Sequence, residues 1–176
     1  TDNITSPTIS YCSDDLYGLL GDGEVFAWLN NGDGFDLDLG IGRFPVNNGS
    51  QARALLDKIK RYKDVRAQGS WRNTLTFMAD DEDDNIHLRQ VEQVQSIAAQ
   101  EGPAYNIEKI YFDAFEQKSV SSGQRYPGVT RRLNERIQEG ALIVNYMGHG
   151  GELGLAHERV LSKETIDGWN NAYRMP

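Results

Sequence analysis

His149 lies in the run Asn145-Tyr-Met-Gly-His149-Gly-Gly-Glu152, with glycine on both sides. An imidazole ordinarily titrates near a pKa of about 6.5, so it can give and take protons close to neutral pH. Flanking glycines leave no side chain in a substrate's way, and their N–H groups can point at a developing oxyanion. The second signal is five consecutive carboxylates, Asp80, Asp81, Glu82, Asp83 and Asp84. They repel one another, and solvent, a calcium ion, or a neighbouring His or Arg must offset that. If one of them reaches the ring of His149 it would orient the imidazole for proton transfer to a nucleophile. Glu82 and Asp81 are the candidates. The plain alternatives are a solvated acidic loop and a turn histidine among glycines.

Three other groups of residues invite chemistry. Asp22 and Asp33 stand between glycines, and Glu24 follows one, in an acidic N-terminal stretch. Hard oxygen ligands of this kind suit calcium, although the EF-hand pattern is missing. A polar surface loop explains them equally well. Cys12 is followed by Ser13-Asp14-Asp15, and that negative charge disfavours a thiolate. It reads as a small packed residue, and a single cysteine excludes an internal disulfide or a Cys-based structural zinc site. His87 and His157 read as ordinary helix and loop residues, since neither has a metal-ligand partner at i+4.

The elements that must position these residues follow from the pattern of apolar positions. Short strands are expected over 8–12 and 24–29, and the period-two run over 36–43 predicts another. Asn48 or Ser50 can cap a helix reaching to about 66, with Ala54, Leu55, Ile59 and Tyr62 on one face. Strands follow over 73–79, 106–113 and 141–146, the last expected to be buried on both faces. Helices are expected over 86–100, 129–139 (with Gly140 as a left-handed stop) and 163–170. Strand–helix alternation implies a mostly parallel sheet in a three-layer α/β sandwich. Ligands in such folds sit beyond the carboxyl ends of the strands. The loops 45–49, 80–85 and 147–155 lie on that edge, and the last two carry the acidic run and His149. Residues 1–70 are expected to close one subdomain, and 71–176 to form part of a second.

Composition narrows the partners. The 176 residues carry a net charge of −8 and a pI near 4.9, with no cluster of Lys and Arg for a phosphate backbone, so nucleic acid is not an expected partner. Hydrophobic residues at 39% support a core and argue against disorder. Gly40-Ile-Gly-Arg43 lacks the Lys-Ser or Lys-Thr of a phosphate loop.

Ser13-Asp-Asp-Leu-Tyr-Gly18, then Asp38-Leu-Gly-Ile-Gly-Arg-Phe-Pro45, a strand ending in the acidic loop, and Asn145-Tyr-Met-Gly-His-Gly150 occur in an order and spacing that resembles the gingipain-type cysteine peptidases, whose fold is similar to that of caspases. The resemblance implies that a family cysteine attacks the scissile carbonyl and that His149 is its proton-transfer partner. It implies that the Gly150 amide contributes to the oxyanion hole, that Glu82 or its neighbour Asp81 orients the histidine, and that Asn85 falls near the substrate pocket. It also places the family's cysteine beyond Pro176, so that this segment alone is expected to be inactive. The run from His149 to Glu158 looks closest to the sortase-like branch of the family. That branch implies removal of a C-terminal secretion domain from protein substrates and transfer of the new carboxyl end to a surface glycolipid. It further implies other secretion-system components as partners, at the outer membrane or cell surface. No cofactor is required on this reading, and calcium is a candidate ion. The competing expectation is an acidic, calcium-binding α/β interaction module without catalysis.

Overall fold

The computed structural model describes residues 14–24 and 37–176. Cys12, Asp33, the expected strand over 8–12 and that over 24–29 apart from Glu24 lie outside the described residues. The chain divides into two compact units, residues 1–55 and 56–176.

In the first unit, residues 37–43 do not form the strand that their alternation predicts. Their backbone is engaged otherwise: Asp38 N–H donates to Gly18 O at 2.9 Å, and the Asp38 carboxylate accepts from Leu20 N–H at 2.8 Å. The segment thus packs against the short turn Asp15–Gly18 instead of a ladder partner. Asp22 is exposed, and the Glu24 carboxylate accepts from Gly21 N–H at 2.8 Å.

Helix α1 (Gly49–Lys63) starts where Asn48 Oδ1 accepts the N–H of Gln51 at 3.0 Å, so Asn48 is the cap. It stops short of the expected 66, because Asp64 opens a separate turn, Val65–Ala67, and caps it with its own side chain. None of the α1 residues is buried.

The second unit is built on a parallel sheet. Strand β1 (Thr74–Ala79) lies between β2 (Asn106–Tyr111) and β5 (Ile143–Met147), in the order β2-β1-β5. Both pairings are parallel, with Ala79 opposite Tyr111 on one side and Met147 on the other. Parallel neighbours need long crossovers. Helix α2 (Ile86–Glu101) supplies one, and α3 (Pro127–Glu139) lies in the other, after the hairpin β3 (Lys118–Val120) and β4 (Gly123–Arg125).

The central strand shows the three layers directly. Leu75, Phe77 and Ala79 pack with Val91 of α2, flanked by Leu88 and Ala98. Met78 faces the other way, with Ile110, Phe112 and the α3 residues Val129, Leu133 and Ile137. Those three recur every four positions, which makes one stripe on a helix. Each fully buried apolar side chain of this kind contributes about 1.5–3 kcal/mol. Glu108 of β2 adds ion pairs to Arg132 and Arg136 of α3.

The expectation for the last strand needs correction. Ile143 is 52% exposed, and the rest of β5 is half-buried. Among the described residues β5 pairs only with β1, so it is an edge strand with one flank uncovered. After it, β6 (Gly150–Gly151) and β7 (Gly154–Leu155) form a tight hairpin, and Ser162 caps the short helix α4 (Lys163–Asp167). Among the described residues no helix is long and apolar enough to cross a membrane.

Candidate functional site

The carboxyl ends of β1 and β5 run out side by side, and this register brings residue 80 to residue 149. Asp80 N–H donates to Met147 O at 3.3 Å, extending the ladder one step. The Asp80 side chain is only 1% exposed. Its Oδ2 accepts the backbone N–H of His149 at 2.6 Å and the ring Nδ1 of His149 at 3.0 Å. From the other side, the Tyr146 hydroxyl donates to the His149 carbonyl at 2.7 Å, and Ala156 N–H donates to the same oxygen at 2.7 Å. Both main-chain groups of the histidine and one ring nitrogen are therefore fixed. A carboxylate only accepts, so Nδ1 carries the proton that faces Asp80.

Gly148 is required for this closeness. A Cβ there would come within 2.5 Å of Asp80 Oδ2, so any side chain would displace the carboxylate. Gly154 is required too: at φ +147° it lies in a region L side chains avoid, and its Cβ would strike the Leu161 carbonyl. Backbone strain is concentrated in the two loops around the ring. Asp83, Asp84 and Asn85 take φ of +52°, +53° and +60° in succession, and Ala156 and Arg159 take +60° and +54°. Non-glycine residues in this region cost energy that the surrounding structure must hold, and such residues gather at functional sites.

Electrostatics follow the geometry. The hydrogen bond to Asp80 raises the pKa of His149 above its ordinary value; partial desolvation opposes it, and the charges of Asp80, Asp83 and Glu82 reinforce it. Burial, and then the Asp80 charge, push the Tyr146 phenol far up, so it remains a donor across the working range. Glu82 Oε2 lies 3.2 Å from His149 Nδ1, while its Oε1 takes the hydrogen bond of His157 Nδ1 at 2.7 Å. The His157 ring stacks on that of His149, centroids 5.4 Å apart. Asp83 Oδ2 is 3.2 Å from His149 Nε2, on a side chain that is 60% exposed.

The sequence candidates are placed as follows. His149 and Glu82 are brought together. Asp81 turns away, and its Oδ2 accepts from the Tyr126 hydroxyl at 2.5 Å. Gly150 is exposed beside the ring and pairs with Leu155 in the hairpin. Asn85 is exposed and donates its N–H to Glu82 O at 3.1 Å. A groove of about 490 Å³ is lined by His149, Gly150, Leu153, His157 and Arg159 among others, and Asn85 does not line it. The residue that sequence reasoning missed is Asp80. The signal was faint: Asp80 directly follows a strand buried on both sides and is itself buried, whereas Asp81 and Glu82 are half-buried and Asp83 and Asp84 exposed.

The profile of Peptidase family C25 matches residues 2–176. The chain belongs to this family. No curated protein and no solved structure matches it. C25 is the gingipain family of cysteine peptidases, and its members are typically secreted or surface proteins. The parallel sheet flanked by helices agrees with the caspase-like fold of C25.

Proposed function

We propose that this C25 chain supplies the histidine arm of a cysteine-peptidase centre. His149 is the proton-transfer partner, Asp80 the group that orients it, and the Gly150 amide a donor to the oxyanion. The observation that supports this reading most is the single buried carboxylate that holds His149 by both its backbone N–H and its Nδ1. Fixing Nδ1 leaves Nε2 as the atom that exchanges protons, and the exposed Asp83 side chain stands before it. With a thiol at that position, thiolate attack on the scissile carbonyl gives a tetrahedral oxyanion. The imidazolium Nε2–H then protonates the departing amine, and an acyl-enzyme remains. Neutral Nε2 next takes a proton from the acceptor, water or an amine, as it attacks the acyl carbon.

The thiol on this reading is not Cys12, whose neighbours Asp14 and Asp15 disfavour a thiolate. It comes from sequence outside these 176 residues. The finer role is that of a sortase similar to PorU of the type IX secretion system. Such an enzyme removes a C-terminal secretion domain and passes the new carboxyl end to a glycolipid amine at the cell surface or outer membrane. The resemblance of the run from His149 to Glu158 supports it, and several residues of that run build the site. His157 stacks on the catalytic ring, Gly154 makes the close turn, and the buried Glu158 accepts from Gln117 at 2.9 Å.

The test uses the complete protein and a cargo substrate. His149→Ala should abolish processing, Asp80→Asn should lower kcat more than it changes KM, and Cys12→Ala should leave processing intact. Mass analysis of the product separates hydrolysis from attachment of an amine. Processing that survives His149→Ala would end the catalytic reading and leave an acidic binding module.

A further inference from the structure

All three histidines of the sequence meet at one place, and the proposed chemistry uses only one of them. His87 lies in the first turn of α2. Its Nε2 is buried without a hydrogen-bond partner, 3.9 Å from Asp80 Oδ1 and 3.7 Å from Asp83 Oδ2. Asp80 Oδ1 has no hydrogen-bond partner either, although Asp80 is almost wholly buried. The rings of His87 and His149 meet edge to face, 5.1 Å between centroids. An orphaned buried acceptor or donor is costly, and here two such atoms face each other.

At 3.9 Å the two atoms do not hydrogen-bond to each other, and a cation between them would satisfy both. Ligand atoms from Asp80, His87 and His149 lie within 4.8 Å of one another. Oxygen and nitrogen ligands about 2.0–2.2 Å from a tetrahedral zinc ion are themselves roughly 3.3 Å apart. Atoms up to 4.8 Å apart must therefore draw together by up to about 1.5 Å around an ion. Two imidazoles exclude calcium and magnesium as preferred occupants and favour zinc.

We propose that Asp80, His87 and His149 form a zinc site, with the exposed Asp83 carboxylate as the fourth ligand. The binding stands on this geometry alone. Its consequence rests on the proposed role of His149: a ring held by zinc cannot transfer protons, so the ion is a reversible block on the centre, removed by chelation.

The test is zinc titration of the 176-residue chain against a chromophoric chelator, with cobalt as a spectroscopic substitute. One equivalent should bind, and the cobalt form should show the intense visible bands of a tetrahedral site. Long-range ¹H–¹⁵N spectra should show ring nitrogens of both His87 and His149 shifting on zinc addition. His87→Gln and His149→Gln should each weaken binding by about tenfold or more, the scale of losing a metal-site group, and excess calcium should not compete. No stoichiometric binding by the unaltered chain would overturn the site, and so would shifts confined to His149 and His157. Zinc binding in a protein whose His149→Ala variant still processes cargo would uphold the site while removing the catalytic role.

Discussion

The contact between Asp80 and the His149 ring can be isolated by a double-mutant cycle of Asp80→Asn and His149→Gln. His149 reaches Asp80 Oδ2 twice, through its backbone N–H at 2.6 Å and through Nδ1 at 3.0 Å, and the Tyr146 hydroxyl lies 3.3 Å from the same oxygen. The backbone bond is present whichever side chain stands at 149, so its contribution cancels in the cycle and the ring bond remains. A hydrogen bond to a charged partner contributes about 1.5–3 kcal/mol. Here one partner is buried, but the His149 side chain is 34% exposed, and solvent screening reduces the value. The coupling should therefore be about 1–2 kcal/mol while the ring is charged. Its sign with pH is fixed by the raised pKa of His149. A group whose pKa rises on folding gives stability that is complete below its unfolded pKa, about 6.5, and that disappears as pH climbs through the folded value. Urea unfolding of the four proteins at about pH 5.5 and about pH 9 measures both. The coupling should be large at the lower pH and smaller at the higher. A coupling under about 0.5 kcal/mol at the lower pH, within ordinary non-additivity, would refute the claim that Asp80 holds the ring. So would a coupling that grows as pH rises.

Further outcomes follow from packing. Leu133→Ala removes a side chain 1% exposed beneath the sheet and should cost about 2–5 kcal/mol in chemical denaturation; a loss under about 1 kcal/mol would mean that α3 is not seated as described. Gly154→Ala should destabilise the hairpin beside His149 and displace the His149 ring resonance, whereas Gly151→Ala, with nothing near its Cβ, should leave that resonance in place. Tyr146→Phe removes the donor to the His149 carbonyl and should cost about 0.5–1.5 kcal/mol, read as a lowered urea midpoint.

The parts of the fold legible from sequence were those where burial sets the pattern. Strand β1 and helices α2 and α3 fall within one or two residues of their expected bounds, because their apolar positions repeat with the period of the element. Residues 37–43 show the limit of that logic. Their alternation is real, but Asp38 and Gly18 satisfy the backbone locally. Alternation reports which side is apolar, not whether a partner strand arrives. Exposure of β5 was hidden for a similar reason, since an apolar run does not state how many neighbours it has. At the site, His149 and the acidic loop could be found from residue type and spacing. Which carboxylate takes Nδ1 depended on the register of β1 against β5, and two residues of register separate Asp80 from Glu82. The convergence of His87 and His157 on His149 was invisible because it joins a helix start, the acidic loop and the hairpin loop, which are distant in sequence.

The clamp on His149 has a consequence for how the centre comes into being. Asp80 and His149 are 69 residues apart, and the clamp exists only when β1 and β5 have docked in register. Until that non-local pairing is complete, the imidazole is an ordinary solvated ring on a glycine tether. On the proposed role of His149, a newly made or partly unfolded chain would carry no oriented ring, because the orientation arrives only with the sheet.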